Sequence, residues 1–269
     1  MYYNIFSPCE ELKPFIKFFW ILEDLTGIQE KHSIERVIPD GCMELIIHYG
    51  DRFQQYDQTQ WKDQSKSLLA GQLKKFLLLR PTGIMGMVGA RFHPNGAYPF
   101  FKIPMNEFQG HVIEADNICD ISMLENKIYE TKDHHGKVMH FQSFLLQMLH
   151  QNFSEEPLIN AAVNLIVEQD GCIPITDVAK KYGSSVRQME RKFNQLIGIS
   201  PKAFSNLVKL KNFFNLTETG RFQKFTDLAI ECGYYDQAHF IREFKQITGL
   251  SPKAYYKETN LMNDFFWNH

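Results

Sequence analysis

The last hundred residues of the chain contain the same sequence pattern twice. The first copy, TDVAKKYGSSVRQMERKFNQLIGISP, runs from Thr176 to Pro201, and the second, TDLAIECGYYDQAHFIREFKQITGLSP, from Thr226 to Pro252. The offset between the copies is fifty residues at first and fifty-one after one extra residue in the second copy. Because an internal repeat fixes the architecture before any local pattern is interpreted, the chain is predicted to bind an extended ligand through two copies of one unit, which we call the two heads.

The first half of each copy is predicted to be a short helix that ends in a glycine turn. Thr176 and Thr226 are candidate N-caps, since a hydroxyl oxygen can accept hydrogen bonds from the free amide groups of the first turn. Gly183 and Gly233 follow where the chain must adopt a left-handed conformation, which glycine tolerates best. A second helix can therefore begin directly after each turn.

The second half of each copy is predicted to be a helix with one apolar and one outer face. Ser185 would cap this helix in the first copy, and Asp236 in the second. Their apolar residues recur at a spacing of i, i+4 and leave an outer face that suits the major groove of DNA. The candidate DNA-binding residues on these outer faces are Ser185, Arg187, Gln188, Glu190, Arg191, Gln237, Ala238, Ile241 and Arg242.

The distribution of charge separates the repeat from the rest of the chain. Residues 176–257 carry 14 Lys and Arg against 7 Asp and Glu, a net charge of +7, whereas residues 1–150 carry 15 against 18, a net charge of −3. A basic excess confined to the repeat is expected if that segment alone meets phosphate groups. Lysine-rich helices also occur for solubility alone, so the charge supports the interpretation only together with the repeat.

Residues 176–257 resemble the double helix-turn-helix domain of the AraC/XylS family of bacterial transcription regulators. The phrase GYYDQAHFIREFKQITGLSPKAY, from Gly233 to Tyr255, is similar to the family signature around the second recognition helix, and SSVRQMERKF is similar to the first recognition helix. The resemblance implies a long helix over 201–216 that joins the two heads and an initial helix over 156–169. Apolar residues at helical spacing in PLINAAVNLIVEQ support the initial helix.

The front half of the chain is predicted to be rich in strands. Its apolar runs are short, closely spaced and broken by Gly and Pro, which is typical of a sandwich or barrel. Residues 118–130 and 137–149 return to the helical period. The runs predicted to be strands are FIKFFWIL, CMELIIHY, SLLAGQ, KFLLLR and IMGMVGARF.

Two segments of the front half resemble the N-terminal, cupin-like domain of one branch of AraC-type regulators. They are ERVIPDGCMELIIHYG (35–50) and GARFHPNGAYPFF (89–101). In such regulators this domain senses a ligand, dimerises, or does both. The resemblances together imply an α+β chain of two domains, with a cupin-like β-barrel with helices over 1–150 and an all-α double helix-turn-helix domain over 155–260.

A cupin-like barrel raises the alternative of a metalloenzyme fused to a DNA-binding module. Strand alternation in CMELIIHY places Cys42, Glu44, Ile46 and His48 on one face. Glu44, His48 and His93 would be the metal ligands. However, the sequence has no His-x-His pair, and His93 precedes a proline, which suits a turn. Glu44 and His48 are therefore interpreted as hydrogen-bonded structural residues or as residues that face solvent, and no metal, cofactor or catalytic residue is predicted.

Cysteine usage and the remaining composition add exclusions. The five cysteines are scattered without a Cys-x-x-Cys pair, which argues against a structural zinc site and a disulfide framework. The first residues lack the pattern of a signal peptide, and no apolar run approaches the length of a membrane span. We therefore expect a soluble, cytoplasmic protein.

The combined patterns predict a sequence-specific DNA-binding transcription regulator rather than an enzyme. Its expected partners are double-stranded DNA, RNA polymerase and a small-molecule effector, whose identity the sequence does not give. An interaction protein that has lost DNA binding is the other alternative. Whether the protein is an activator or a repressor stays open.

One helical face before the second domain predicts a homodimer. Residues 137–149 place a broad apolar face on a helix, which must be buried either on its own barrel or against a second chain. Resemblance to the family favours the second chain, and packing within the chain is the alternative. The residues of this face are Val138, Phe141, Phe144, Leu145, Met148 and Leu149.

Overall fold

The structure is a computed structural model, and it describes residues 1–26, 34–152, 156–218 and 225–257. Strands occupy the front of the described chain and helices dominate the remainder, so the predicted α+β class is confirmed. The described strands are β1 (Tyr2–Phe6), β2 (Ile16–Asp24), β3 (Glu35–Val37), β4 (Glu44–His48), β5 (Gln54–Tyr56), β6 (Trp61–Asp63), β7 (Ser67–Ala70), β8 (Leu77–Arg80), β9 (Met85–Phe92) and β10 (Val112–Glu114).

One short helix lies before the last strand, β10, and the other α-helices follow that strand along the chain. None of the described helices is both long and apolar enough to cross a membrane. Their bounds are α1 (Tyr98–Phe101), α2 (Ser122–Glu130), α3 (His134–Asn152), α4 (Pro157–Glu168), α5 (Ile175–Lys181), α6 (Val186–Leu196), α7 (Pro201–Glu218), α8 (Phe225–Glu231), α9 (Gln237–Thr248) and α10 (Pro252–Tyr255).

The strands form two antiparallel sheets that face each other. The larger sheet has the order β1-β2-β9-β4-β7-β10, and the smaller has the order β3-β8-β5-β6. All five apolar runs that were predicted to be strands lie in β2, β4, β7, β8 and β9. In the described residues the strands do not pair into one closed ring, so the predicted barrel is a sandwich of two sheets.

Alternation along the strands of the larger sheet divides its side chains between two layers. In β2, Phe18 and Trp20 pack with side chains of the smaller sheet, whereas Phe19 and Ile21 pack with the helices on the opposite side. Successive side chains of a strand point to opposite faces, so one sheet serves both layers. The larger sheet is therefore the middle of three layers.

Helix α3 covers the outer side of the larger sheet. Four residues of its predicted apolar face are buried in the core of this same chain, and Phe144 and Met148 are half-buried. Packing within the chain, which the sequence left as an alternative, therefore accounts for most of that face. The four buried residues are Val138, Phe141, Leu145 and Leu149.

The helices after residue 156 share a single apolar core. The predicted helix over 156–169 is α4, and the predicted joining helix over 201–216 is α7. Phe213 on α7 packs against Phe240 and Phe244 on α9, with ring centroids 4.5 and 5.9 Å apart. Phe204, near the start of α7, packs 6.2 Å from Phe193 on α6. Because α7 contacts both second helices, it holds the two copies of the repeat in one body.

Candidate nucleic-acid interface

The first helix-turn-helix consists of α5, a glycine turn and α6. Thr176 was predicted to be the N-cap of its first helix, and this prediction is wrong. The helix begins at Ile175 with Pro174 at the N-cap position, and no side chain caps it. Proline lacks an N–H group and has a fixed φ, so the helix can start with Pro174 as its N-cap, two residues earlier than the threonine suggests. Gly183 has a φ of +62°, which confirms the predicted left-handed turn.

Helix α6 starts with the cap that the sequence predicts. The Ser185 hydroxyl accepts a hydrogen bond from the Gln188 amide at 3.2 Å, and the Gln188 side-chain oxygen accepts one from the Ser185 amide at 3.1 Å. This reciprocal pair is a capping box, which satisfies two free amides at once. The side chains of Ser185 and Gln188 thus hold the start of α6.

The second helix-turn-helix repeats this geometry with different residues. Gly233 has a φ of +76° in the turn, and the Asp236 carboxylate accepts a hydrogen bond from the His239 amide at 2.7 Å. Asp236 is therefore the N-cap of α9, as predicted. The side chain of Thr226, predicted to cap the preceding helix, lies outside the residues whose side chains the structure describes.

The outer face of α6 is charged and accessible. Arg187, Glu190 and Arg191 are all exposed, while Met189 and Phe193 on the opposite side are fully buried. Within the described ranges, no hydrogen bond or ion pair occupies the guanidinium groups of Arg187 and Arg191. Two arginines at this spacing can donate bidentate hydrogen bonds to a guanine edge or to phosphate oxygens.

The outer face of α9 is flatter and more apolar. Gln237, Ala238, Ile241 and Arg242 are exposed, and Ile241 keeps 37% of its surface accessible. Their side chains offer one amide, one guanidinium and two apolar contacts. The face is supported from behind by His239 and Asn206, which contact Glu243 Oε1 at 3.2 and 3.0 Å. All nine predicted DNA-binding residues are exposed. Eight of them lie on α6 or α9, and Ser185 is the N-cap of α6.

Tyr235 extends this surface and was missed in the sequence. It lies in the turn just before the Asp236 cap and is 89% exposed. A large aromatic residue in a short turn is the signal that could have identified it, because such a ring buries little within its own turn.

A cavity lies between the two sheets of the front part. Its volume is about 80 Å³, several times what one buried water needs. Strand alternation predicted that four residues in and just before β4 share one face, and all four line this cavity. They are Cys42, Glu44, Ile46 and His48. Most of the remaining wall is apolar, with Trp20, Phe53 and Leu79 among its residues.

One end of the cavity is a cluster of buried charges. One terminal nitrogen of the Arg91 guanidinium donates to Glu44 and the other to Asp40. Burial raises the pKa of the Glu44 carboxyl above its usual range despite Arg91. Burial acts on Asp40 in the same direction, but Arg91 and the Cys42 amide outweigh it and hold the pKa of Asp40 below its usual range. Both terminal guanidinium nitrogens are therefore already in use.

His48 is a polar group on the same wall. Its side chain is 2% exposed, and burial lowers its pKa to about 4, so the ring is neutral at pH 7. Neither ring nitrogen makes a hydrogen bond of normal geometry with any described residue. A neutral imidazole offers one donor and one acceptor, so it is suited to a ligand that hydrogen-bonds without charge.

The candidate metal ligands of the alternative interpretation are not brought together. Glu44 and His48 line the cavity, whereas His93 lies in a separate cleft between the front part and α7. No group of three or more His, Cys, Asp or Glu in the described ranges is placed to hold a metal ion.

Comparisons with known proteins match the front and the back of the chain to two different families. Residues 178–258 match the family described as a helix-turn-helix domain, and residues 4–114 match a domain of unknown function. An uncharacterised helix-turn-helix transcriptional regulator of Haemophilus influenzae is 32% identical over 108 residues, which are 40% of this chain and 36% of that protein. The transcriptional activator RhaS of Klebsiella pneumoniae is 30% identical over 77 residues, covering 29% and 27%.

The chain spans little more than a third of the length of the Haemophilus influenzae protein. Among solved structures, ToxT from Vibrio cholerae is similar, with a TM-score of 0.46 and 12% identity over 87% of this chain and 97% of that chain.

Proposed function

Because its C-terminal part is an AraC-type helix-turn-helix domain, we propose that this protein is a sequence-specific DNA-binding transcription regulator. The observation that carries the proposal is the pair of exposed outer faces, on α6 and α9, held on one shared core. We assign residues 155–260 to the DNA-binding domain and residues 1–150 to a sensor and dimerisation domain. The proposal includes no catalytic step, and the protein would act in the cytoplasm, where bacterial DNA lies.

The two heads would enter successive segments of the major groove on one side of the DNA. Recognition helices of such pairs contact bases about one helical turn, roughly 34 Å, apart. Arg187 and Arg191 are suited to guanine or phosphate, and Gln237 to adenine. Ala238 and Ile241 offer apolar contact for thymine methyl groups. The first head would thus read polar base edges, and the second a flatter, methyl-rich site.

Two further candidates, Ser185 and Gln188, take a supporting role in this proposal. Their side chains form the capping box of α6, so they fix the start of the recognition helix rather than read bases. The amide groups at that helix start can meet a phosphate, which the positive end of the helix dipole favours. Glu190 lies between the two arginines and would either accept from a cytosine amino group or orient them.

Two macromolecular partners belong to the proposal by family resemblance. A regulator of this kind acts through RNA polymerase, and pairing of two chains would bring four heads to a repeated operator. Since most of the apolar face of α3 is buried within its own chain, a dimer would use what stays accessible there. Met139 is 47% exposed, and Phe144 and Met148 are half-buried.

We further propose that the cavity between the sheets binds a small, uncharged, ring-bearing effector. Most of its wall is apolar, and the neutral ring of His48, which lies beside Gln64, makes no hydrogen bond of normal geometry with a described residue. An anionic effector is disfavoured, because the guanidinium of Arg91 is already bonded to Glu44 and Asp40. A carboxylate entering the cavity would meet these two carboxyl groups without a free cation to pair with.

Phenol, benzoate and benzylamine test the chemistry of the cavity without DNA. A ligand that binds only the folded protein raises its melting temperature, and the rise grows with the ratio of free ligand to Kd. We expect phenol to raise the melting temperature of the whole chain and the two charged analogues to leave it unchanged. His48→Phe, which fills the space and removes the hydrogen bond, should abolish the effect, whereas Tyr129→Ala, an exposed site on α2, should not. A shift with benzoate alone would contradict the proposal.

Selection of binding sites from fragmented or random DNA tests the main function. We expect the whole chain to enrich one sequence and to bind it about a thousandfold more tightly than shuffled DNA. Affinity should fall steeply with salt, since the domain releases counterions from the phosphates it meets. Equal affinity for every sequence would contradict a specific regulator. Absence of binding at low salt would support the alternative of an interaction protein, and zinc or iron in the purified chain would support the metalloenzyme.

A further inference from the structure

A single loop of the front part touches both helix-turn-helix units. We call residues 71–76, which connect β7 to β8, the bridge loop. It passes along the ends of α6 and α9 that lie away from their capped starts. The outer faces that would meet DNA stay exposed, so the loop and a DNA duplex can occupy the helices together.

At the first unit, the bridge loop meets the turn that follows α6. A Cβ atom added at Gly198 would lie 3.3 Å from Gln72 Cγ and 2.8 Å from the Met105 carbonyl oxygen, so only glycine fits there without displacement. Gln72 is fully buried, and its side-chain nitrogen donates to the Gly41 carbonyl at 2.7 Å. Gln109 Nε2 adds a hydrogen bond to the Gly198 carbonyl at 2.6 Å.

At the second unit, the other end of the bridge loop meets the turn that follows α9. The Phe76 amide donates to the Ile247 carbonyl at 2.8 Å. A Cβ atom at Gly249 would lie 2.2 Å from the Phe76 ring, so the ring packs directly on the glycine. The Arg36 guanidinium lies 4.4 Å above the Phe76 ring centre and donates to the Thr248 carbonyl at 3.2 Å.

The two contact points are equivalent positions of the repeat. Gly198 and Gly249 correspond at the offset of fifty-one residues, and both have positive φ values, +96° and +80°. Each is the turn residue between a recognition helix and the Ser-Pro that starts the next helix. The repeat therefore presents one turn twice, and one loop of the front part engages both copies.

The bridge loop is also part of the cavity wall. Gly71 and Leu73 of the loop, and Leu77 directly after it, line the space in which His48 lies. Val37 on β3 lines it too, next to the Arg36 that holds Phe76. A ligand that moves this wall must move the loop, because packed interiors have no free space to absorb the displacement.

We infer that the bridge loop transmits occupancy of the cavity to both reading heads at once. A shift at the end of a recognition helix tilts the helix in the groove, and the shared loop makes the two tilts occur together. This inference rests on the proposed function, since it concerns how the effector cavity regulates the DNA-binding faces. Phe76 and Gln72 are positioning residues in this device, because they act on the helices and not on the DNA.

Hydrogen exchange of the whole chain, read by mass spectrometry, tests the mechanical link without DNA. We expect Phe76→Ala to speed exchange at least about threefold in peptides around Gly249, which it contacts, and also around Gly198, which it does not. Loss of local packing alone would change only the first site. Lys75→Ala, an exposed substitution in the same loop, is the matched control and should change neither. If Phe76→Ala lowers stability throughout the chain, Phe76→Leu keeps an apolar side chain, and the same two sites are compared in that variant.

The second arm adds the selected operator DNA. Coupling between sites is reciprocal, so DNA binding should slow exchange in the bridge loop of the parent by about threefold and should do so less in the Phe76 variant. Exchange near Gly198 that is unchanged in both Phe76 variants, or a loop unaffected by bound DNA, would overturn the inference. Failure to bind any DNA would overturn the proposed function, whereas the link between the two turns would still be decided by the first arm.

Discussion

In the first reading head, the recognition helix presents Arg187, Glu190 and Arg191 to solvent, whereas the second presents Gln237, Ala238, Ile241 and Arg242, next to the exposed ring of Tyr235. Behind these faces the heads are alike. Each has a left-handed glycine before the recognition helix, a capped start and buried phenylalanines that meet α7. The repeat has thus kept the residues that build the unit and changed those that would contact the ligand. Such a difference is expected of two heads that read different halves of one site.

The largest effects should come from the shared core, where the heads are predicted to be equal. Phe193→Ala and Phe244→Ala each remove a ring that is fully buried, and each should lower the free energy of unfolding by about 3–5 kcal/mol. Because α7 joins the two heads, chemical denaturation of either variant should give one transition for the helical part. Two separate transitions, with only one affected by each substitution, would show that the heads are independent bodies.

Substitutions on the two outer faces should have intermediate effects on DNA binding, and these effects should differ between the heads because the contacts differ in type. Arg187→Ala is expected to relax the preference at one or two adjacent base pairs and to cost about 1–3 kcal/mol of binding. Ile241→Ala should cost less, about 1 kcal/mol, and should leave the salt dependence of binding unchanged, since no phosphate contact is lost. Arg52→Ala in the front part serves as the control for charge. Equal losses on every sequence tested would make Arg187 a phosphate anchor and not a base reader.

The smallest effects should come from the caps, where the heads again differ. Ser185→Ala removes one partner of a capping box and Asp236→Ala removes a charged cap, so each should destabilise the protein by about 1 kcal/mol. Only the destabilisation by Asp236→Ala should depend on salt, because a carboxylate also interacts with the helix dipole. Thermal unfolding at low and high salt measures both. A Ser185 variant with the greater salt dependence would contradict this assignment.

Sequence reasoning reached the parts of the fold that local chemistry determines. The turn glycines Gly183 and Gly233 and the caps Ser185 and Asp236 were predicted because their roles depend on a few neighbouring residues. The alternation in β4 correctly grouped Glu44 with His48. Thr176 failed as a cap because Pro174, just upstream, already fixes the helix start.

Contacts between distant segments could not be read in the same way. Nothing local in Gln72 or Phe76 indicates that their loop meets Gly198 and Gly249, which are more than a hundred residues away. Likewise, the pairing of Arg91 with Glu44 follows from the register of β4 against β9. The apolar face of α3 is the clearest example. The helical spacing of its apolar residues predicts the face, but it does not predict which surface covers that face.

The central claim is that two unlike heads on one core read adjacent segments of a single DNA site. Base-by-base interference mapping of the selected operator, with the parent, Arg187→Ala and Ile241→Ala, tests it most directly. We predict two major-groove segments on one side of the duplex, about one helical turn or 34 Å apart, with each substitution weakening a different segment. A single segment, or two segments that both substitutions weaken alike, would contradict the account.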